Sequence, residues 1–121
     1  MKNYLTIIVL LIFTSCSNVS EDDLIEPIII EPGETVNYTE NIQSIMENNC
    51  NFCHSNPPIN GAPTSLVTYS DVVNGVNNGN LIGRISAQTG ESGAMPLGGP
   101  RLPQNLIDLL EQWVEDGLIE N

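Results

Sequence analysis

The pentapeptide Cys50-Asn51-Phe52-Cys53-His54 constrains this chain more than any other feature of its sequence. Two thiols three positions apart can each form a thioether with one vinyl group of a porphyrin, and His54 can then present its imidazole to the iron from the same side. This Cys-x-x-Cys-His spacing is the attachment pattern of c-type haem. The sequence therefore predicts one haem c, attached covalently through Cys50 and Cys53, with His54 as an iron ligand.

Two other interpretations use the same cysteines. A Cys-x-x-Cys pair also serves as a redox dithiol, but in thioredoxin-like domains it follows a strand and opens a helix, whereas the residues before Cys50 have helical spacing. A structural zinc site normally takes four Cys or His ligands, and this chain has three Cys and one His. Covalent haem is therefore the first interpretation, a haem-free thiol oxidoreductase the second and zinc the third.

The first fifteen residues have the pattern of a secretory signal. Lys2 precedes an apolar run over residues 4–13, and the small residues Thr14 and Ser15 follow it. The run is roughly half of the ~20 apolar residues that a membrane-spanning helix requires. A signal peptide over residues 1–15 is therefore predicted instead of a transmembrane helix.

Cys16 follows this signal directly. The residues Phe13-Thr14-Ser15-Cys16 resemble the bacterial lipoprotein signal, in which a small residue precedes a cysteine that is lipidated and becomes the new N-terminus, although Phe13 replaces the usual Leu. An exported chain rarely keeps a lone free thiol, which also favours lipidation. The alternative is an incidental cysteine behind an ordinary signal-peptidase site. We expect an exported protein that is anchored by lipid at Cys16 to a bacterial membrane and faces the periplasm.

Residues 16–37 are predicted to be an acidic tether between the anchor and the domain. Acidic residues, Pro and Gly alternate there with little periodicity, which is typical of a linker. The run Ser20-Glu21-Asp22-Asp23 resembles the acidic tag that directs some lipoproteins of Gram-negative bacteria to the cell surface. A solvated linker is the first interpretation of this run, and the export tag is the second.

The charge of the chain excludes one class of partner. Without the signal segment, Arg84 and Arg101 stand against fifteen Asp and Glu, which gives a balance of −13. Nucleic acid is not an expected partner, because phosphate binding needs clustered Lys and Arg. The acidity is explained either by solubility or by steering toward a basic docking face on a redox partner.

Residues 38–121 are predicted to form the domain. Ile42, Ile45 and Met46 recur at helical spacing behind Thr39, which is a candidate N-cap, so that a first helix delivers Cys50 at its C-terminal end. Pro and Gly between His54 and residue 66 predict an irregular loop.

The rest of the domain also has a helical pattern. Short helices are predicted within residues 66–76 and 80–85, and a longer amphipathic helix from about Pro103 to Asp116, with Gly117 at its C-cap. No strand alternation is visible, so the predicted fold class is all-α.

A first helix, the Cys-x-x-Cys-His motif, an irregular loop, Met95-Pro96 and an amphipathic last helix follow one another in this chain. In this order they resemble a class I c-type cytochrome, in particular the short single-haem domains of bacterial secreted proteins. The resemblance covers about residues 38–119. It implies a small cytochrome c-like fold of three to four helices packed around the haem, with His54 as the proximal and Met95 as the distal ligand. Such a protein carries electrons, is not an enzyme by itself, and is expected to be a monomer.

Elimination also selects Met95 as the distal ligand. His54 is the only histidine, the mature chain has no lysine, and Met1 lies in the signal. Met46 precedes Cys50 by four residues on the same helix and should pack in the core. Two alternatives remain open: Met95 fills a gap in its loop, or it is a labile ligand that a small molecule displaces, which would make the domain a haem-based sensor.

Pro63 and Arg84 are predicted to support the haem. A ligating histidine donates its second ring N–H to a neighbouring acceptor, and the resemblance implies the carbonyl of Pro63. Arg84 is expected to pair either with a haem propionate or with a surface carboxylate. The resemblance further implies that the first and last helices cross closely, often at a glycine, and residues 38–49 contain none.

Overall fold

Four α-helices follow a short π-helical turn in residues 33–121, which are the residues that the computed structural model describes. The π-helical turn spans Tyr38–Ile42; the helices are α1 (Gln43–Asn49), α2 (Tyr69–Gly79), α3 (Leu81–Ser86) and α4 (Gln104–Glu115). No strand occurs in this part of the chain, which confirms the all-α class there. The predicted signal, Cys16 and most of the tether lie outside the described residues.

The first helix begins earlier than its sequence pattern suggested. Asn37, and not Thr39, is the N-cap, because the Asn37 side chain accepts a hydrogen bond from the Glu40 N–H at 2.9 Å. The next turn is wide, since the N–H of Gln43 donates to the carbonyl of Tyr38, five residues back. Regular α-helix follows and ends at Cys50, as predicted.

The packed domain begins at Val36, two residues before the predicted boundary. Val36 is 1% exposed and belongs to the hydrophobic core, and its N–H donates to the Asp116 carboxylate at 2.7 Å. The assignment of Val36 and Asn37 to the tether was therefore wrong. The boundary could not be predicted from the sequence, because Val36, a single apolar residue two positions after Glu34, gives no periodic signal.

A capping box sets the start of α2. Thr68 accepts from the N–H of Asp71, and the Asp71 carboxylate accepts from the N–H of Thr68, both at 3.2 Å. The helix therefore starts at Tyr69, inside the predicted range of residues 66–76, and extends beyond that range to Gly79. It ends at Asn80, whose left-handed backbone (φ +54°) separates α2 from α3.

α4 closes the domain and ends in a Schellman motif. Pro103 precedes the helix as its N-cap and is not its first helical residue. At the other end, Gly117 has φ +94°, its N–H donates to the Val114 carbonyl, and the N–H of Leu118 donates to the Trp113 carbonyl. The C-cap is therefore Asp116, one residue before the predicted Gly117, and Gly117 supplies the left-handed residue that ends the helix.

An aromatic cluster joins the first and last elements. Trp113 of α4 is fully buried, and its ring centroid lies 5.8 Å from that of Tyr38 and 6.3 Å from that of Tyr69. The chain end covers the cluster: the carbonyl of Ile119 accepts from the indole N–H of Trp113 and from the backbone N–H of Tyr38, both at 2.8 Å. The π-helical turn thus packs on α4 without any glycine at the contact.

Within residues 33–121, no helix has both the length and the apolar character needed to cross a membrane.

Candidate functional site

The Cys-x-x-Cys-His segment forms a tight turn directly behind α1. The carbonyl of Cys50 accepts backbone hydrogen bonds from Cys53 at 3.2 Å and from His54 at 3.0 Å, while the N–H of Cys50 still donates to the Met46 carbonyl. The carbonyl of Cys53 accepts from the N–H of Ile59. Helix α1 and the following loop therefore fix the backbone of both cysteines and of the histidine.

Cys50 and Cys53 are free thiols in this turn. Cys50 is half-buried against the hydrophobic core, and its Sγ lies 4.0 Å from the Sδ of Met46. Burial raises the pKa of the Cys50 thiol to about 11, because an apolar environment disfavours the charged thiolate. Cys50 is therefore a poor nucleophile, whereas the reactive thiols of redox proteins have a lowered pKa.

His54 has one ring nitrogen held by the backbone. Its Nδ1 lies 2.7 Å from the carbonyl oxygen of Thr64, and because a carbonyl only accepts, Nδ1 must carry the proton. The lone pair of the neutral imidazole is then on Nε2, which is the form that ligates a metal. A second bond, from the N–H of Leu66 to the His54 carbonyl at 2.9 Å, holds the same loop against the histidine.

The predicted carbonyl was therefore wrong by one residue, since Thr64 and not Pro63 accepts from the histidine ring. The interaction type was expected from the chemistry of a ligating histidine. The residue that accepts the bond could not be predicted, because an irregular loop has no sequence period that shows which carbonyl faces the histidine.

Met95 lies on a second segment that the structure ties to α3. Its side chain is half-buried and packs against the same hydrophobic core that Cys50 contacts. Its N–H donates to the carbonyl of Arg84 at 2.9 Å. The preceding residue, Ala94, is buried, so the backbone reaches the core at this point. Met46, in contrast, is 1% exposed within the core, as predicted for a methionine with a packing role.

Arg84 directs its guanidinium to the backbone. Nε donates to the carbonyl of Gly79 at 3.0 Å and Nη1 to the carbonyl of Gly93 at 3.3 Å. Among the described residues, neither bond goes to the surface carboxylate that was one of the two expectations. The pairing of Arg84 with a haem propionate stays a prediction.

Exposed apolar side chains occur next to the candidate ligands in the chain. Phe52 lies inside the motif and is 79% exposed, and Leu97 follows Met95 by two residues and is 80% exposed. Ile59 and Val67 are also exposed, and each belongs to the loop that hydrogen bonds to the motif. Single exposed apolar side chains are common on protein surfaces, and only a contiguous apolar patch indicates a binding surface.

The structure therefore brings Cys50 and Met95 to one core. His54, four residues after Cys50, is held by hydrogen bonds to its ring and to its carbonyl. Sequence reasoning missed Thr64, Gly79 and Gly93, which act only through backbone carbonyls and leave no side-chain signal. Zinc gains no support, because residues 33–121 contain no group of three His, Cys, Asp or Glu side chains that could hold a metal ion.

No family model, no curated protein and no solved structure matches this chain.

Proposed function

We propose that this chain is a monohaem c-type cytochrome that carries single electrons between exported redox partners. Haem c is attached through Cys50 and Cys53, and the axial ligands are His54 and Met95. When bound, the haem supplies a one-electron couple between ferric and ferrous iron. Because His and Met fill both axial positions, no coordination position is left for a substrate, and the chain is a carrier and not an enzyme by itself.

The observation that carries this proposal is the hydrogen bond between His54 Nδ1 and the Thr64 carbonyl. Histidines that ligate a metal almost always donate the other ring N–H to a carbonyl, a carboxylate or water, which fixes the tautomer and the plane of the ring. The same loop holds His54 at its ring, through Thr64, and at its carbonyl, through the N–H of Leu66. The bond at the ring leaves the lone pair on Nε2, which is then the nitrogen that can ligate a metal.

The cysteines support haem attachment over dithiol chemistry. A thiol oxidoreductase needs an accessible cysteine of low pKa, whereas Cys50 is half-buried and its pKa is raised to about 11. A thioether carries no ionisable proton, so burial of the Cys50 sulfur does not disfavour its attachment to haem. The exposed apolar residues Phe52 and Leu97 fit this function as well, because an apolar tetrapyrrole would find its contacts there.

The rest of the proposal concerns the place and the partners of the protein. A lipid anchor at Cys16 would hold the domain at a bacterial membrane on the periplasmic side, through the acidic tether. Residues 33–121 contain two arginines and ten Asp and Glu residues, so the described part of the chain is strongly negative. A monomer that docks on a basic face of a redox protein fits this charge.

The test is the absorption spectrum of protein produced in a cell with haem-attachment machinery. Low-spin six-coordinate haem is expected, and acid and organic solvent should not extract it. Changing Cys50 and Cys53 together to Ser should make any haem extractable. Non-extractable haem in this double variant would refute covalent attachment through the two thiols.

A matched pair of variants tests the distal ligand. Met95→Leu should remove the long-wavelength sulfur-to-iron charge-transfer band of the oxidised protein and let the reduced protein bind carbon monoxide. Met46→Leu, a volume-conserving change in the core, should leave the band in place. A wild type that already binds carbon monoxide as readily as Met95→Leu would support the haem-based sensor instead.

A further inference from the structure

Arg84 contacts the segment of Met95 in two ways. Its backbone carbonyl accepts the N–H of Met95 at 2.9 Å, and its guanidinium donates to the carbonyl of Gly93, two residues before Met95. The same guanidinium donates to the carbonyl of Gly79, the last residue of α2. One side chain on α3 therefore connects the end of α2 with the backbone that leads into Met95.

The local backbone fits this arrangement closely. Gly93 has φ +82°, a backbone conformation that residues other than glycine rarely adopt. A β-carbon built at Gly93 would lie 3.2 Å from Nη1 of Arg84. The turn at Gly93 therefore brings its carbonyl to the guanidinium with no side chain in between. Hydrogen bonds from a charged donor are about twice as strong as those between neutral groups.

We propose that Arg84 is a positioning residue that holds the Met95 segment in place and thereby keeps the methionine sulfur on the iron. This inference rests on the proposed function, since it concerns the same iron site. An axial thioether is a weak neutral ligand whose retention depends on the segment that carries it. Each opening of the segment gives Met95 a chance to dissociate, and the bonds from Arg84 oppose this opening.

Arg101 offers a matched control on the loop that carries Met95, residues 87–103. Its Nε donates to the Ser86 carbonyl at 3.0 Å and its backbone N–H to the hydroxyl of Thr89. It has the same charge and side chain as Arg84, and it also donates to a carbonyl. Its bonds, however, reach Ser86 and Thr89 at the start of the loop and, through Nη2, the side chain of Gln104 at the start of α4, and none reaches residues 93–95.

The experiment compares Arg84→Leu with Arg101→Leu in the holoprotein. Carbon monoxide binds reduced haem only after the methionine leaves, so that its binding rate measures how often the iron–sulfur bond opens. We expect Arg84→Leu to raise this rate by about tenfold, equivalent to about 1.4 kcal/mol, and to weaken the sulfur-to-iron band. Arg101→Leu should leave both near the wild type. Arg84→Gln, which keeps a shorter amide donor, should fall between Arg84→Leu and the wild type.

Hydrogen exchange separates positioning from general destabilisation. The amide of Met95 should exchange faster in Arg84→Leu than in the wild type, while the amides of α4 remain as protected as in the wild type. Lysine is avoided at position 84, because its amine can itself ligate iron.

Different outcomes refute different statements. A wild type without covalent haem, or with haem but no sulfur band, refutes the proposed function at the cysteines or at Met95 before any arginine variant is measured. If the band is present and Arg84→Leu binds carbon monoxide at the wild-type rate, only the role of Arg84 is refuted. Equal effects of Arg84→Leu and Arg101→Leu would also refute it, because loss of one positive charge or of loop stability would then explain both.

Discussion

Burial of Cys50 makes a quantitative prediction for the haem-free protein. A chain that begins at Ser17 and carries Cys53→Ser has Cys50 as its single thiol. The pKa of the Cys50 thiol is about 11, two units above the ordinary value of 9.0, because burial disfavours the thiolate. At about pH 8 the thiolate is then roughly a hundredfold rarer than in an unfolded chain, since each pKa unit is a factor of ten in the fraction ionised.

The expected rate follows from two opposing effects. The thiolate of a weaker acid is the better nucleophile. With a Brønsted slope of about 0.4–0.5, a pKa that is two units higher makes each thiolate roughly six- to tenfold more reactive. Cys50 in the folded protein should therefore react with an aromatic disulfide reagent about tenfold or more slowly than the same chain in urea. The rate should continue to rise with pH up to about 11.

The assay is stopped-flow absorbance of the released aromatic thiol, with circular dichroism to record the helix content. The mirror variant Cys50→Ser reports the second thiol of the same turn. Equal rates for Cys50 in buffer and in urea would refute the burial argument. A rate that is faster in the folded protein, for either thiol, would support a redox dithiol instead of a haem attachment site.

Three further predictions concern the anchor, the charge and the fold. Cys16→Ser should move the protein from the membrane to the soluble fraction or leave the precursor uncleaved, since each buried CH₂ of an acyl chain contributes about 0.8 kcal/mol; a wholly soluble wild type would contradict lipidation. Electron transfer to a basic partner should slow as salt rises, because surface charges are screened over about 10 Å at 0.1 M; a rate that does not fall would favour solubility as the role of the acidity. Thr68→Ala should lower the free energy of unfolding in urea by about 1 kcal/mol through loss of the α2 cap, whereas Thr68→Ser, which keeps the hydroxyl, should cost clearly less; equal losses would show that the cap contributes little.

The sequence was most informative where a repeated pattern decides the structure. Helix α4 was predicted within one residue at each end, because the stripe that includes Ile107, Leu110 and Trp113 can face the core only as a helix, and Gly117 supplies the left-handed residue that ends it. The end of the first helix at Cys50 was likewise predicted, because apolar residues recur at helical spacing before Cys50 and Pro and Gly follow His54.

Single contacts between distant residues were not predictable. Thr39 has the side chain of an N-cap, but its hydroxyl donates to the carbonyl of Glu120 at 2.9 Å, and Asn37 caps the helix instead. Nothing near Thr39 in the sequence reveals a partner 81 residues away. The same holds for the acceptor of the His54 ring, because the choice between Pro63 and Thr64 depends on how an irregular loop turns.

The pairing of the chain ends has a consequence for the order of events during synthesis and export. The bonds from Val36 to Asp116 and from Tyr38 to Ile119 enclose almost the whole described domain in one loop, and the entropic cost of closing a loop grows with its length. In a protein exported amino end first, Cys50 and Cys53 emerge well before the last residues that close this loop. Under the proposed function, the two thiols would then be accessible to an attachment enzyme while the domain is still open, and residues 116–119 would close the fold around a haem that is already attached.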